Sequence, residues 1–222
     1  MNGKEGGGIS PPMKRAAQVA CAILFLLLMP FASSGEGLGE NAADEDSLFE
    51  RFFERGRYEA GFTGGALFSP FVANRNRPTI DYTVTGLQLG YMLGDVKRKG
   101  WWRGNLELAA EGFGNAVFEG PGGYIAGATL WLRYNFVPRW SPGLVPYVEA
   151  GAGVVSTDID HHIVGQPFNF NLDLGVGMRY FIARDWALDL ECRYQHISNA
   201  NLGRKNLGIN SIGPVLGISY FF

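Results

Sequence analysis

Residues 168–180 read FNFNLDLGVGMRY, and this stretch decides the fold class. Every second position is apolar, whereas the positions between them carry Asn, Asp, Gly or Arg. Because successive side chains of a β-strand point to opposite faces of a sheet, this alternation predicts a strand with one apolar and one polar face. Residues 124–136 and 186–194 show a similar split.

Outward from this stretch, clusters of Gly, Pro and Asn divide residues 57–222 into short alternating segments, which is typical of repeated antiparallel strands. Eight strands are predicted, over residues 58–71, 79–93, 101–112, 124–136, 145–155, 168–181, 186–198 and 210–222. The apolar parity slips between Val84 and Leu87, so we expect a β-bulge near Gly86. The sequence therefore predicts an all-β domain that closes into an eight-stranded antiparallel barrel.

A targeting segment precedes this domain. Lys14 and Arg15 are followed by an apolar run over residues 16–31 and by the small residues 32–34. The run is shorter than the roughly 20 residues that a spanning helix needs. This pattern favours a signal peptide over a membrane anchor, with residues 1–34 removed after Ser34.

An acidic extension over residues 35–56 follows the predicted signal peptide. Leu48, Phe49, Phe52 and Phe53 recur at helical spacing. This spacing predicts either a short amphipathic helix or a loose segment. We expect this extension on the periplasmic side, ahead of the barrel and outside it.

Alternation alone does not decide whether the polar face points to water, as in a soluble sandwich or lipocalin-like barrel, or inward, as in a membrane barrel. Two features of the strands favour the membrane barrel. Aromatic residues cluster at strand ends on the apolar face: Trp102, Tyr124, Phe136, Phe168, Tyr180, Trp186 and Tyr220. The polar face carries groups able to form interior ion pairs: Glu107, Glu111, Glu149, Asp173, Asp189 and Glu191, with Arg103, Arg133, Arg179 and Arg193.

The C-terminal alternation of Ile218, Tyr220 and Phe222 favours the same conclusion. It resembles the signal of proteins that are handed to the outer-membrane assembly machinery, which is therefore an expected partner through Phe222. We expect a transmembrane barrel in the bacterial outer membrane, surrounded by outer-membrane lipids. Whether the barrel forms oligomers stays open.

Charge and strand number narrow the possible functions. The formal net charge is −2 at pH 7, and no basic patch suggests nucleic acid as a partner. An eight-stranded barrel has an interior just wide enough for its own side chains, so a porin is not expected. Function is then expected on a rim or on the outer wall. With both termini periplasmic, the connections near residues 72–78, 113–123, 156–167 and 199–209 are predicted to be extracellular.

A histidine and a serine lie two residues apart near the predicted end of the seventh strand. His196 and Ser198 share the parity of the outward apolar set, so both side chains project toward lipid at the extracellular end. A serine hydroxyl needs an adjacent general base before it attacks an ester carbonyl, and His is the usual base. Asn210, at the start of the next strand, has the same outward parity.

The block His196-Ile197-Ser198-Asn199-Ala200, followed by Asn206, Gly208 and Asn210, resembles the active-site block of the outer-membrane lipid A 3-O-deacylases. The resemblance covers roughly the last 35 residues. It implies an eight-stranded barrel that hydrolyses an ester of lipid A, with lipopolysaccharide as substrate and no cofactor or metal. It also implies Ser198 as the nucleophile and His196 as the base, with Asn199 and Asn206 near the oxyanion.

The third catalytic position departs from the family pattern. Family members usually carry Glu there, which orients the imidazole and stabilises its charged form, whereas this chain carries Asn210. The carbonyl of Asn210 can accept the imidazole N–H, but a neutral amide stabilises imidazolium less than a carboxylate does.

Three other interpretations compete with the deacylase. The barrel could be structural or adhesive without catalysis, or Ser198 could act on neighbouring phospholipids. Asp158, Asp160, His161 and His162 have metal-binding chemistry, but they lie in a predicted loop without a second ligand cluster, so a solvated loop is expected.

Overall fold

The computed structural model describes residues 50–70, 78–97, 100–139, 143–203 and 206–222, together with Arg15, Gln18, Val19 and Cys21. Apart from those four residues, the predicted signal peptide lies outside the described residues, and so do residues 35–49 of the predicted extension. Within the described part of the chain, no helix has the length and apolar character needed to cross a membrane.

Eight antiparallel strands form one closed barrel, and β8 pairs with β1. The strands are β1 (Tyr58–Leu67), β2 (Asp81–Met92), β3 (Gly104–Glu119), β4 (Tyr124–Phe136), β5 (Leu144–Thr157), β6 (Phe168–Phe181), β7 (Trp186–Ser198) and β8 (Ile209–Phe221). Short helical turns lie at Arg51–Phe53, Gly100–Trp102 and His161–Val164. Closure leaves no strand edge unpaired, and the predicted fold class is confirmed.

The predicted bounds of the fourth, sixth and seventh strands match the structure at both ends. The prediction for the third strand was wrong, because β3 continues to Glu119 and occupies most of the segment predicted as a loop over residues 113–123. β1 ends at Leu67, before the predicted limit at residue 71.

The predicted bulge near Gly86 is also wrong. The β2–β3 register is the same at both positions, where Tyr82 pairs with Val117 and Gly86 pairs with Phe113. The register shifts between Asp81 and Tyr82 instead. The change of apolar parity has another cause: Val84 is buried inside the barrel, whereas Leu87 is 69% exposed on its outer wall.

The outer wall is apolar and the central interior is charged, as the strand parity predicts. Leu172 is 59% exposed, whereas its neighbour Asp173 is buried. In the interior, Arg133 pairs with Glu149 at 2.7 Å. Arg133 also pairs with Glu59 and Glu107, Arg179 pairs with Glu59, Glu107 and Asp189, and Arg193 pairs with Glu111 and Glu191. Arg103 does not join them, because it lies before β3 and pairs with Glu50 at the rim where β1 begins and β8 ends.

The end of the barrel opposite the end of β8 is filled by an apolar cluster: Leu67, Ile80, Tyr82, Val84, Ile125, Val155, Ile159, Ile163, Val164, Ile197, Ile209 and Val215. Below it, a cavity lined by Thr63, Gln88 and Arg133 measures about 10 Å³, about the room that one water needs. The described interior is therefore filled by side chains.

The last residues of the predicted extension enter the other end of the barrel. Phe52 and Phe53 are buried against the inward-facing Phe181 and Phe221, and the Phe53 carbonyl accepts a hydrogen bond from Asn105 at 2.7 Å. This part of the extension therefore lies in the mouth of the barrel, contrary to the expectation that it would sit outside. Burial of two aromatic rings explains the placement.

Candidate functional site

The candidate site lies on the outer wall, at the rim opposite the one where β8 ends. His196 and Ser198 stand on the outward face at the end of β7, and both side chains are half-buried. Ile197, between them, points inward and is fully buried in the apolar cluster. The inward anchoring of Ile197 fixes the outward direction of its two neighbours, because adjacent side chains of a strand point to opposite faces.

Asn210 is the cross-strand partner of His196. Its side-chain oxygen, Oδ1, lies 2.7 Å from His196 Nδ1. An amide oxygen only accepts hydrogen bonds, so this contact requires the proton on Nδ1 and leaves Nε2 of a neutral imidazole with a free lone pair. That tautomer is the one in which His196 acts as a general base through Nε2.

The hydroxyl of Tyr194 donates to the same Asn210 Oδ1, at 2.8 Å. Tyr194 lies two residues before His196 on β7 and therefore shares its outward face. By strand parity alone, Tyr194 belongs to the outward apolar set of β7. The cross-strand register reveals its polar role, because it brings the end of the phenol to Asn210.

Ser198 lies beside His196, but no hydrogen bond joins these two described side chains. Both side chains lie close to Gly208. A Cβ placed on Gly208 would lie 3.2 Å from His196 Cε1 and 3.7 Å from Ser198 Cβ. Catalytic hydrogen bonds are often long in the absence of substrate and tighten when it binds. Gly208 has φ +67°, a left-handed conformation that glycine adopts without strain.

The two asparagines predicted near the oxyanion occupy different environments. The Asn199 side chain is fully buried, donates to the Val164 carbonyl at 2.9 Å and accepts from the Asn201 backbone N–H at 2.9 Å. Asn206 is half-buried; its Oδ1 accepts from the Asn199 backbone N–H at 3.3 Å, and its Nδ2 donates to Asn201 Oδ1 at 3.0 Å. These asparagines tie the β7–β8 connection to the strand end that carries Ser198.

Two non-glycine residues in that connection adopt left-handed backbone conformations. Ala200 has φ 51° and Asn201 has φ 62°. Such residues cost free energy and occur where the surrounding structure holds them, often beside functional sites. Asn201 was missed in the sequence analysis, although Asn is among the residues that tolerate this conformation best.

The carboxylates weighed as metal ligands bond to nearby backbone groups. Asp158 Oδ1 accepts from the N–H groups of Gly123 and Tyr124, at 2.8 and 3.0 Å, and these bonds lower the pKa of Asp158 below its ordinary value of 3.8. Asp160 accepts from the His162 backbone N–H at 2.8 Å. Among the described residues, no group of three or more His, Cys, Asp or Glu side chains is arranged to hold a metal ion.

Comparisons with known proteins identify the family and the fold of this chain. The sequence model of a family described as lipid A 3-O-deacylase (PagL) matches residues 83–219. The crystal structure of the outer-membrane enzyme PagL is 20% identical, with a TM-score of 0.51, and the match covers 72% of this chain and 97% of that one. Neisserial surface protein A is 16% identical, with a TM-score of 0.51 and coverage of 75% and 97%. No curated protein sequence matches.

Proposed function

Because this chain belongs to the lipid A 3-O-deacylase (PagL) family, we propose that it is an outer-membrane ester hydrolase that removes the 3-position acyl chain of lipid A. The observation that carries the proposal is the 2.7 Å contact between His196 Nδ1 and Asn210 Oδ1, on the outward face that Ser198 shares. An oriented imidazole beside a serine is the arrangement that ester hydrolysis requires.

The position of the site matches the location of this substrate. Polar side chains on the lipid face of a barrel cost little near the interface and more toward the middle of the bilayer. With the termini periplasmic, the rim that carries Ser198 lies at the level of the outer leaflet, where lipid A resides. The closed interior then poses no obstacle, because the substrate approaches along the wall.

In the proposed reaction, Ser198 Oγ bonds to the acyl carbonyl carbon while its proton passes to His196 Nε2. The bond between that carbon and the sugar oxygen breaks, and His196 returns the proton to the leaving oxygen. Water then attacks the acyl carbon and gives a proton to His196, the bond between that carbon and Ser198 Oγ breaks, and His196 returns the proton to Oγ, which releases the hydroxy fatty acid and restores Ser198. In both steps Asn210 Oδ1 orients the imidazole by accepting the hydrogen bond from His196 Nδ1.

The asparagines of the β7–β8 connection support the developing oxyanion in this proposal. Asn206 is the side chain assigned as donor, because it is half-buried and its amide lies at the surface of the loop. Asn199 is assigned to substrate positioning, through the loop that it ties to Val164. A donor aimed at developing negative charge typically lowers the activation barrier by about 3–4 kcal/mol.

The test is mass spectrometry of lipid A from Gram-negative cells that express the wild type, Ser198→Ala or Ser156→Ala. Ser156 is a matched control, because it is an exposed serine on β5 near the same end of the barrel as Ser198. Loss of one hydroxyacyl chain with the wild type and Ser156→Ala, but not with Ser198→Ala, supports the proposal. Identical lipid A in all three strains contradicts it and leaves a structural or adhesive barrel.

A further inference from the structure

We propose that Tyr194 is a positioning residue of this site, which holds the amide of Asn210 with its oxygen toward His196. The inference rests on the proposed function and adds a residue to its machinery. Its basis is that Asn210 Oδ1 accepts two hydrogen bonds, from His196 Nδ1 at 2.7 Å and from the Tyr194 hydroxyl at 2.8 Å.

The strand register places these three groups together. On the outer wall, His196 pairs directly with Asn210, and Tyr194 pairs with Ile212, two residues further along β8. Tyr194 therefore reaches Asn210 diagonally, a distance that aromatic side chains can span between neighbouring strands. The phenol and the imidazole meet the amide oxygen from the same strand, β7.

An asparagine at this position needs a second hydrogen bond to fix the orientation of its amide, whereas a carboxylate does not. Both oxygens of a carboxylate accept hydrogen bonds, so any rotation about its last bond still presents an acceptor to His196. An amide has one accepting end and one donating end. Rotated by 180°, Asn210 would present Nδ2 to His196 Nδ1, and the proton of a neutral imidazole would move to Nε2.

The Tyr194 hydroxyl opposes that rotation. A phenol donates hydrogen bonds more strongly than it accepts them, and it donates to Oδ1 in the observed orientation. After rotation, the phenol would have to accept from Nδ2 instead. Tyr194 thus favours the orientation in which Nε2 of His196 is free to take the Ser198 proton.

The first arm of the test is a double-mutant cycle on deacylation of lipid A by the purified barrel. Tyr194→Phe is expected to lower kcat about tenfold in the Asn210 background, the loss of roughly one neutral hydrogen bond. In the Asn210→Asp background, the same change is expected to cost less than about twofold. Equal losses in both backgrounds would mean that Tyr194 only supports packing and would overturn the proposal.

Tyr134→Phe is the matched control. It removes a phenolic hydrogen bond to the Trp102 carbonyl, of 2.6 Å, at the opposite end of the barrel. It is expected to leave kcat unchanged in both backgrounds. A tenfold loss with this control would assign the effect of Tyr194→Phe to barrel stability and would also overturn the proposal.

The second arm does not depend on activity. Ring-nitrogen NMR of ¹⁵N-histidine-labelled barrel, recorded above pH 8 and assigned with His196→Gln, reports which nitrogen of His196 carries the proton. We expect the Nδ1–H form in the wild type and an increased Nε2–H fraction in Tyr194→Phe. An unchanged tautomer population overturns the proposal even if the wild type proves to be a deacylase. A shifted population in an inactive barrel would refute the deacylase and retain the role of Tyr194.

Discussion

Replacing Asn210 with Asp tests how much the neutral third residue limits the proposed reaction. The two side chains have the same shape, so the 2.7 Å contact with His196 Nδ1 can persist while the acceptor gains a negative charge. A neutral hydrogen bond contributes about 1 kcal/mol and one to a charged group about 1.5–3 kcal/mol. The difference grows when His196 becomes charged in the transition state.

A transition-state gain of about 1–1.5 kcal/mol corresponds to about five- to twelvefold in kcat. The cost of the new charge at this rim is small, because charged residues near the interface of a barrel wall destabilise by about 0–1 kcal/mol. Asn210→Glu is expected to raise kcat as well, but less, since its extra methylene displaces the carboxylate from the observed contact.

The assay is release of hydroxy fatty acid from lipid A by purified wild type, Asn210→Asp and Asn210→Glu at saturating substrate. Unchanged kcat in both variants would refute the reasoning, because Asn210 would then be adequate already or would not be the residue that orients His196. Double variants with Ser198→Ala provide the background rate. Any gain that persists in them has another origin.

Three further predictions concern the surroundings of the site and the two ends of the barrel. Gly208→Ala is expected to lower kcat about tenfold, because a residue with a side chain is strained by roughly 1–2 kcal/mol at φ +67° and its Cβ would lie 3.2 Å from His196 Cε1. Gly112→Ala is the control, because a Cβ there meets nothing within 4 Å, and equal activity of the two variants would contradict the expectation. The ionised Asp158 accepts from two N–H groups and has a lowered pKa, so its stabilisation of the adjacent turn is present above pH 3.8 and is lost as pH falls below that value through the folded pKa. The protection factor of the Gly123 amide, which is the hydrogen-exchange rate of an unstructured peptide divided by that of Gly123 at the same pH, should fall only there; a fall that begins near neutral pH would be inconsistent with this origin. Phe53→Ala is expected to destabilise the barrel by about 3–5 kcal/mol in denaturant unfolding while kcat stays constant, since its fully buried ring lies at the end far from Ser198; unchanged stability would argue against its role in the core.

The strands that the sequence predicts best have uninterrupted alternation between a charged or Asn-rich interior and an apolar wall. β6 is of this kind, and its bounds are as predicted. The rule fails where the interior itself becomes apolar. Tyr82 and Val84 face inward in the cluster near the rim, so a change of environment along β2 was misinterpreted as a bulge.

The candidate site, too, was predictable from the sequence only in part. Strand parity alone placed His196, Ser198 and Asn210 on one wall, and the structure has them there. Tyr194 could not be assigned from parity, because its role depends on the diagonal reach of a phenol across a specific register. The inward burial of Asn199 depends on a contact with Val164, 35 residues away, in another connection.

The most direct measurement of the central claim is detection of an acyl group on Ser198. Purified barrel is mixed with lipid A, quenched in acid within the first turnovers and digested, and the peptide that contains Ser198 is weighed by mass spectrometry. We predict an added mass equal to one hydroxyacyl chain on Ser198 in the wild type and none in Ser198→Ala. Deacylated lipid A without that adduct, or an equal yield of product from Ser198→Ala, would contradict the account.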